Sequence, residues 1–185
     1  MTSHDPATAP AASARLSEHR FEGSLSADEF KSVFRGHPGG VAVITADAGD
    51  GPVALTATSV SSVSVDPPLL IFSVSTQSSA SSVLARAETV VVHLLDVDDL
   101  EVAKTGATSG IDRFAELPWA TLTTGETVYQ GVRAWVRCAV IERMDAGGST
   151  VIAAHALQAH VERDTSDPLV YHNRTWHRLG ADTAI

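Results

Sequence analysis

One cysteine, Cys138, stands among 185 residues. No disulfide framework can form within such a chain, and no cysteine cluster points to zinc. Cations are also scarce: Lys and Arg total 13 against 22 Asp and Glu, for a formal net charge of -9. There is no basic stripe for a nucleic acid, and an anionic membrane surface is disfavoured. A phosphorylated ligand stays compatible, because a local site can hold one inside an acidic protein. Charged residues of both signs make up only 19%, below the ~25% of ordinary domains, which suits an enclosed barrel with buried oligomer surface. Long apolar runs are missing. Neither a secretory signal nor a membrane span is therefore expected, and the location defaults to cytoplasmic.

Catalytic signatures are missing too. No GxSxG marks a nucleophile, and Cys138 lies in an apolar stretch that reads as a buried strand. No GxGxxG follows a strand, so a nicotinamide nucleotide would have to bind by another mode than the dinucleotide fold's. The histidines form no HxxxH pair on a helix, and no metal is expected. His93 sits in an apolar strand, where a hydrogen-bonded buried imidazole is the ordinary outcome. His155 and His160 are five apart on one strand and are expected on opposite faces; His172 and His177 share that spacing.

What remains is enough for one core-bearing domain. Residues 1–24, rich in Ala, Ser, Thr and Pro at their start, read as a loose tail, 25–180 as the folded domain and 181–185 as a short C-terminal tail. Ser26 and Glu29 fit a capping box for a helix whose apolar face is Phe30, Val33 and Phe34. The period then changes. Strands are predicted at Val41–Thr45, in one long segment Val53–Val65, and at Leu69–Val74, apolar enough to be buried on both faces. Further strands are predicted at Thr89–Leu95, Ala134–Arg143, Thr150–Glu162 and Leu169–Leu179. Short helices are expected near Ser81–Ala87, from Asp98 to about Lys104, and at Ile111–Leu117. Strands dominate without regular alternation with helices, which predicts a mainly β fold: a split antiparallel barrel of six or seven strands, Greek-key-like, with short inserted helices.

Two segments could carry chemistry. Leu55–Pro68 interleaves small hydroxyl residues with β-branched ones, opening backbone groups to a flat ligand; composition alone favours an exposed polar face. Ser75–Ser82 precedes a short helix, where serine hydroxyls and free N–H groups could meet a phosphate, or simply cap the helix.

In order along the chain, Pro38–Thr45, Leu55–Val60, Val63–Pro68, Asp112-Arg113-Phe114, Ala134–Cys138 and Pro168–His172 resemble the flavin reductase-like, FMN-binding split-barrel family, which includes reductase components of two-component monooxygenases. The resemblance runs from Phe30 to Leu179. It implies NAD(P)H-dependent transfer of hydride to FMN or FAD, a homodimer, and delivery of reduced flavin to a partner monooxygenase. Other readings are a flavoprotein that retains its flavin, or a flavin-binding protein without turnover. The resemblance assigns flavin contacts to Gly39, Thr56, Ala57, Thr58, Ser59, Val60, Asp66 and Pro67. It assigns the phosphate to Ser75, Gln77, Ser78 and Ser81, and gives Arg113 and His172 to nicotinamide positioning. This chain departs from the family pattern at Gly39, where Thr is common. It has Gly147-Gly148-Ser149 in place of Gly-Asp-His, and Arg174 and Trp176 where Gly and Tyr are usual.

Overall fold

The structure is a computed structural model that describes residues 23–164 and 167–185. The expected N-terminal tail lies almost wholly outside the described residues. Helix α1 (Ala27–Arg35) begins as the capping box requires: Ser26 Oγ accepts from the Glu29 N–H, and the Ser26 N–H donates to Glu29 Oε2 at 2.9 Å. Its apolar side does not enter the core, since the whole helix is exposed.

Seven strands build the main sheet: β2 (Ala42–Ala46), β3 (Val53–Ala57), β4 (Ser61–Val65), β5 (Pro68–Ser75), β6 (Thr89–Leu94), β9 (Ala134–Ala146) and β10 (Ser149–Val161). Their order is β3-β2-β6-β9-β10-β5-β4, antiparallel throughout. The sheet curls without closing: no ladder joins β3 to β4 among the described residues, and a side-chain clasp at Ser59 spans the gap. The expected closed edge is thus only partly realised. Short strands β1 (Gly39–Gly40), β11 (Leu169–His172) and β12 (Thr175–Arg178) make a second sheet; β7 (Trp119–Thr121) and β8 (Thr127–Tyr129) make a hairpin that the sequence pattern did not reveal.

Alternation along β6 explains the two cores. Val90 and Val92 face the inside of the curl with Ile44, Phe72, Leu84, Cys138 and Ile152. Val91 faces outward with Val43, Val41, Tyr129, Trp135 and Leu169. Strands β2 and β6 are therefore the ones buried on both faces. Strand β5, next to the edge, buries only Phe72 and Val74. Cys138 is buried, and burial pushes its thiol up to about 12, an inert structural group.

Several boundaries differ from expectation for local reasons. The long Val53–Val65 segment breaks at Thr58–Val60 into β3 and β4. Pro68 does not interrupt a strand; it opens β5, opposite Val65, where the missing N–H does no harm. Leu169–Leu179 folds into the β11–β12 hairpin through Asn173 (φ +48°) and Arg174 (φ +63°). Both are left-handed, a conformation that costs a non-glycine residue about 1 kcal/mol. Helix α2 is one turn (Ser81–Leu84). Helix α3 (Leu100–Ala107) follows a 3-10 turn capped by Asp96 rather than Asp98, and Ile111–Leu117 forms turns instead of a helix. Asp96 and Asp99, both buried, clamp Arg163 at 2.7 and 2.6 Å, tying the end of β6 to the chain beyond β10. The expected C-terminal tail contains a 3-10 turn, Ala181–Thr183.

Three bulges mark the open side of the sheet, with Val63, Ile141 and Leu157 as the extra residues on β4, β9 and β10. The third shifts parity. His155 pairs with Ala139 and His160 with Trp135, so both imidazoles share one face instead of opposing each other. His160 stacks on Trp135. Among the described residues no three His, Cys, Asp or Glu side chains gather as metal ligands, and no helix is long and apolar enough to cross a membrane.

His93 is fully buried, as its apolar strand predicted. Its Nδ1 lies 2.9 Å from the Val43 carbonyl, and Nε2 accepts from the Tyr129 N–H at 3.1 Å. That pairing fixes the neutral tautomer protonated at Nδ1, and burial depresses the imidazole from 6.5 to about 4. The unfolded chain therefore takes up a proton that the folded one refuses. Stability is expected to fall as pH drops from 6.5 to about 4, by up to about 3 kcal/mol, and to lose nothing further from this group below that window. Denaturant titrations across that range check it, with a shallower decline in His93→Gln.

Candidate functional site

Strand β3 and the segment that follows it form the spine of the candidate site. The hydroxyl residues there are less available than their composition suggested. Thr56 Oγ1 donates to the Ala103 carbonyl of α3 at 2.7 Å, and Ala57 faces the inner core. Ser59 Oγ accepts the Ser73 N–H at 3.0 Å and donates to the Ser73 carbonyl at 3.3 Å. It thereby fastens the segment to β5 in place of a ladder. Val60 turns into an apolar cleft of about 340 Å³ under β4 and β5, lined also by Leu70, Val92, Leu94 and Val136. Thr58 is exposed. What this stretch offers a flat ligand is backbone, with Thr58 as its free side chain.

On one flank lies the serine loop. Ser75 Oγ accepts from the Gln77 N–H, Ser78 Oγ from the Ala80 N–H, and Ser81 Oγ donates to the Thr76 carbonyl. These bonds shape the loop and use the Ser81 O–H, while Ser75 and Ser78 accept and keep their hydroxyl protons to donate; Gln77 is exposed. Ser79, not singled out by sequence, receives a bond from Arg113 Nη1 at 3.2 Å; the same nitrogen donates to the Ala54 carbonyl of β3 at 2.9 Å. Arg113 Nε and Nη2 donate to the Thr108 carbonyl. No carboxylate pairs with this guanidinium among the described residues. Arg113 and Ser79 share an open cavity of about 240 Å³ with Val53, Asp112 and Phe114. The Arg113 guanidinium and the Ser79 hydroxyl are donors of the kind that a phosphate group takes. Arg113 thus belongs with the serine loop rather than with His172.

The Arg113 loop is held from below. Tyr129 Oη donates to the Arg113 carbonyl at 2.8 Å, and the Phe114 ring stacks on Tyr129 at 5.3 Å. Burial raises the Tyr129 phenol to about 12, so it stays a donor at any ordinary pH. Sequence reasoning missed Tyr129, because its role depends on a hairpin with no periodic signal.

On the other flank, Gly39 pairs with Tyr171 and approaches Thr58. A Cβ at position 39 would lie 2.8 Å from Thr58 Cβ and 3.1 Å from its carbonyl oxygen. The missing side chain at 39 is therefore complementary to the one present at 58. Gly106 of α3 is similar, since a Cβ there would fall 2.4 Å from Thr56 Oγ1. Tyr171, Arg174, Arg35 and Thr58 share a further cavity. His172 does not. Strand alternation turns it to the opposite face of the hairpin from Tyr171, where its ring lies 5.6 Å from His177. Asp66 and Pro67 sit at the β4–β5 hairpin tip, at the far end of β5 from Ser75, more than about 25 Å away at strand rise. The fold brings Gly39, Thr58, Ser59, Arg113 and the serine loop to the flanks of β3, and leaves His172, Asp66 and Pro67 apart within one chain.

An open antiparallel sheet with a phosphate-suited flank beside a backbone-lined strand defines a ligand-binding split-barrel protein. Comparison with known proteins makes this specific. The model of the flavin reductase-like domain matches residues 34–180, and the chain belongs to that family. It is 39% identical over 158 residues to an NADH:FMN oxidoreductase of Rhodococcus qingshengii, covering 83% of this chain and 82% of that one. A crystal structure of a flavin reductase domain protein from Arthrobacter sp. FB24 superposes with a TM-score of 0.79 at 29% identity, over 85% of this chain and 99% of that one. BorF, the flavin reductase component of a bacterial two-component tryptophan halogenase, matches with a TM-score of 0.74 at 31% identity, over 83% and 98%.

The contact at position 39 is directly testable. Gly39→Ala is expected to lower unfolding stability by about 1–3 kcal/mol through overpacking against Thr58. Adding Thr58→Gly should restore part of that loss. Denaturant midpoints of the two single variants and the double variant measure the coupling.

Proposed function

We propose that this protein is an NAD(P)H-dependent flavin reductase that passes hydride from a nicotinamide to FMN or FAD. The observation that carries the reading is the site on the flanks of β3, where Arg113 and Ser79 stand beside a strand that offers backbone to a flat ring, within a flavin reductase-like domain. When bound, flavin supplies the redox chemistry, so the protein needs no acid–base set at the reacting atoms. Its own residues bind, orient and shield. Ser59 fixes the ring-facing segment to β5, Arg113 and Ser79 hold the phosphate, and Thr58 and Gly39 shape the floor next to Tyr171. Orientation of two planar reactants in one cleft supplies most of what a hydride step requires.

The reading extends to partners. Reduced flavin would serve a separate monooxygenase, a reading supported by relatives that are reductase components of such systems. A homodimer would bury the water-facing Val63, Val65, Ile141 and Leu157 that the bulged strands present. The need for reduced nicotinamide supports a cytoplasmic location.

Purified protein mixed with FMN or FAD and with NADH or NADPH is expected to oxidise at least one nucleotide in a flavin-dependent way, followed by the loss of reduced-nicotinamide absorbance. Failure of all four combinations to exceed the protein-free rate overturns the proposal. Arg113→Ala is expected to weaken FMN about tenfold while leaving riboflavin, which has no phosphate, unaffected. Equal weakening of both would assign Arg113 a purely structural role.

A further inference from the structure

Tyr129 is 1% exposed in the outer core and presents almost no surface to a ligand. A buried phenol needs a partner for its hydroxyl. Here that partner is the carbonyl of Arg113, the cation of the candidate site, at 2.8 Å. The loop that carries Arg113, between α3 and β7, has neither helix nor strand of its own. Much of its bonding is internal. Arg113 Nε and Nη2 donate to the Thr108 carbonyl, and the Phe114 N–H donates to Asp112 Oδ1 at 2.9 Å. Bonds of this kind travel with the loop and do not place it. Placement comes from Arg113 Nη1, on Ala54 and Ser79, and from Tyr129, whose hydroxyl holds the Arg113 backbone while its ring stacks on Phe114. Tyr129 is in turn fixed through its own N–H, which donates to His93 Nε2 at 3.1 Å.

A guanidinium has five N–H groups. Arg113 spends both of Nη1, the one of Nε and one of Nη2 on Ala54, Ser79 and Thr108, which leaves one Nη2 N–H. Ser79 accepts from Arg113 and keeps its own hydroxyl proton. Two donors thus stand in set directions at the cavity that Arg113 and Ser79 share. Donors already held in place pay little ordering cost when a phosphate arrives, and a loose loop would pay it in full. We propose that Tyr129 is a positioning residue that sets the preference of this site for a phosphorylated flavin over riboflavin, by holding the Arg113 backbone where its free N–H and the Ser79 hydroxyl converge. The identity of the ligand rests on the reductase reading. The hydroxyl is the working part, because a phenylalanine would fill the same space and stack on Phe114 in the same way.

The test is a flavin fluorescence titration of the full-length protein with FMN and with riboflavin, in the absence of nicotinamide. Wild type is expected to bind FMN more tightly than riboflavin. Tyr129→Phe is expected to bind FMN about fivefold more weakly and riboflavin as wild type does. The ratio of the two affinities is read within one preparation, so a general loosening of the fold cannot imitate the effect. In an Arg113→Ala background, adding Tyr129→Phe should cost FMN nothing further, since Tyr129 acts through that residue. Unchanged FMN affinity in Tyr129→Phe, equal weakening of both flavins, additive losses in the double variant, or a wild type that does not distinguish the flavins each overturns the proposal. Binding needs no hydride transfer. A protein that shows the expected pattern yet oxidises no nicotinamide would refute the reductase reading and leave the role of Tyr129 standing.

Discussion

A neutral imidazole at the centre of the molecule holds three strands in relation to one another. His93 projects from β6, donates to Val43 of β2 and accepts from Tyr129 of β8. Both ring nitrogens are satisfied, which lets a polar side chain occupy a fully buried position without the penalty of an unpaired group. The bond to Tyr129 matters most for the site. Through it the outer hairpin is set against the sheet, and from that hairpin the Tyr129 hydroxyl reaches the Arg113 carbonyl. The position of the guanidinium beside Ser79 and Ala54 thus depends on a tautomer chosen in the core.

The same layering explains why the site lies where it does. The inner core fills the curl of the sheet, and the outer core is built by α3, the β7–β8 hairpin and the β11–β12 hairpin against the opposite face. Strand β3 is an edge of the sheet and borders both cores. Its inward residues pack, its outward Thr56 is taken by α3, and the segment after it is left with exposed backbone. An edge kept open by a side-chain clasp rather than a ladder can receive a ligand where a paired strand could not.

Much of the architecture was legible in the sequence because its signals are local. The Ser26–Glu29 box and the apolar run of Thr89–Leu95 each specify their own structure from neighbouring residues. The Ser/Thr-rich run was legible as a site only through its place in an ordered set of landmarks. Periodicity could not show that Ser59 bonds Ser73, or that Thr56 bonds Ala103, since those partners are distant in sequence. His172 was assigned by analogy to a neighbourhood that hairpin alternation directs elsewhere. Arg113 was singled out as a site residue beside His172, whereas its contacts lie with the serine loop. The bulge at Leu157 reversed the expected faces of His155 and His160, and a single inserted residue of that kind leaves no compositional trace.

The close approach of Gly39 to Thr58 has a bearing on descent. The family resemblance leads one to expect threonine at position 39, whereas here the space belongs to the side chain at 58. A lineage moving between the two arrangements cannot make the changes in either order. The side chain at one position must be shed before the other is gained, because an intermediate with both is overpacked at the floor of the cleft. The two positions should therefore change as a linked pair among relatives, and the pairing would sort them into two branches by a feature that neither residue reveals alone.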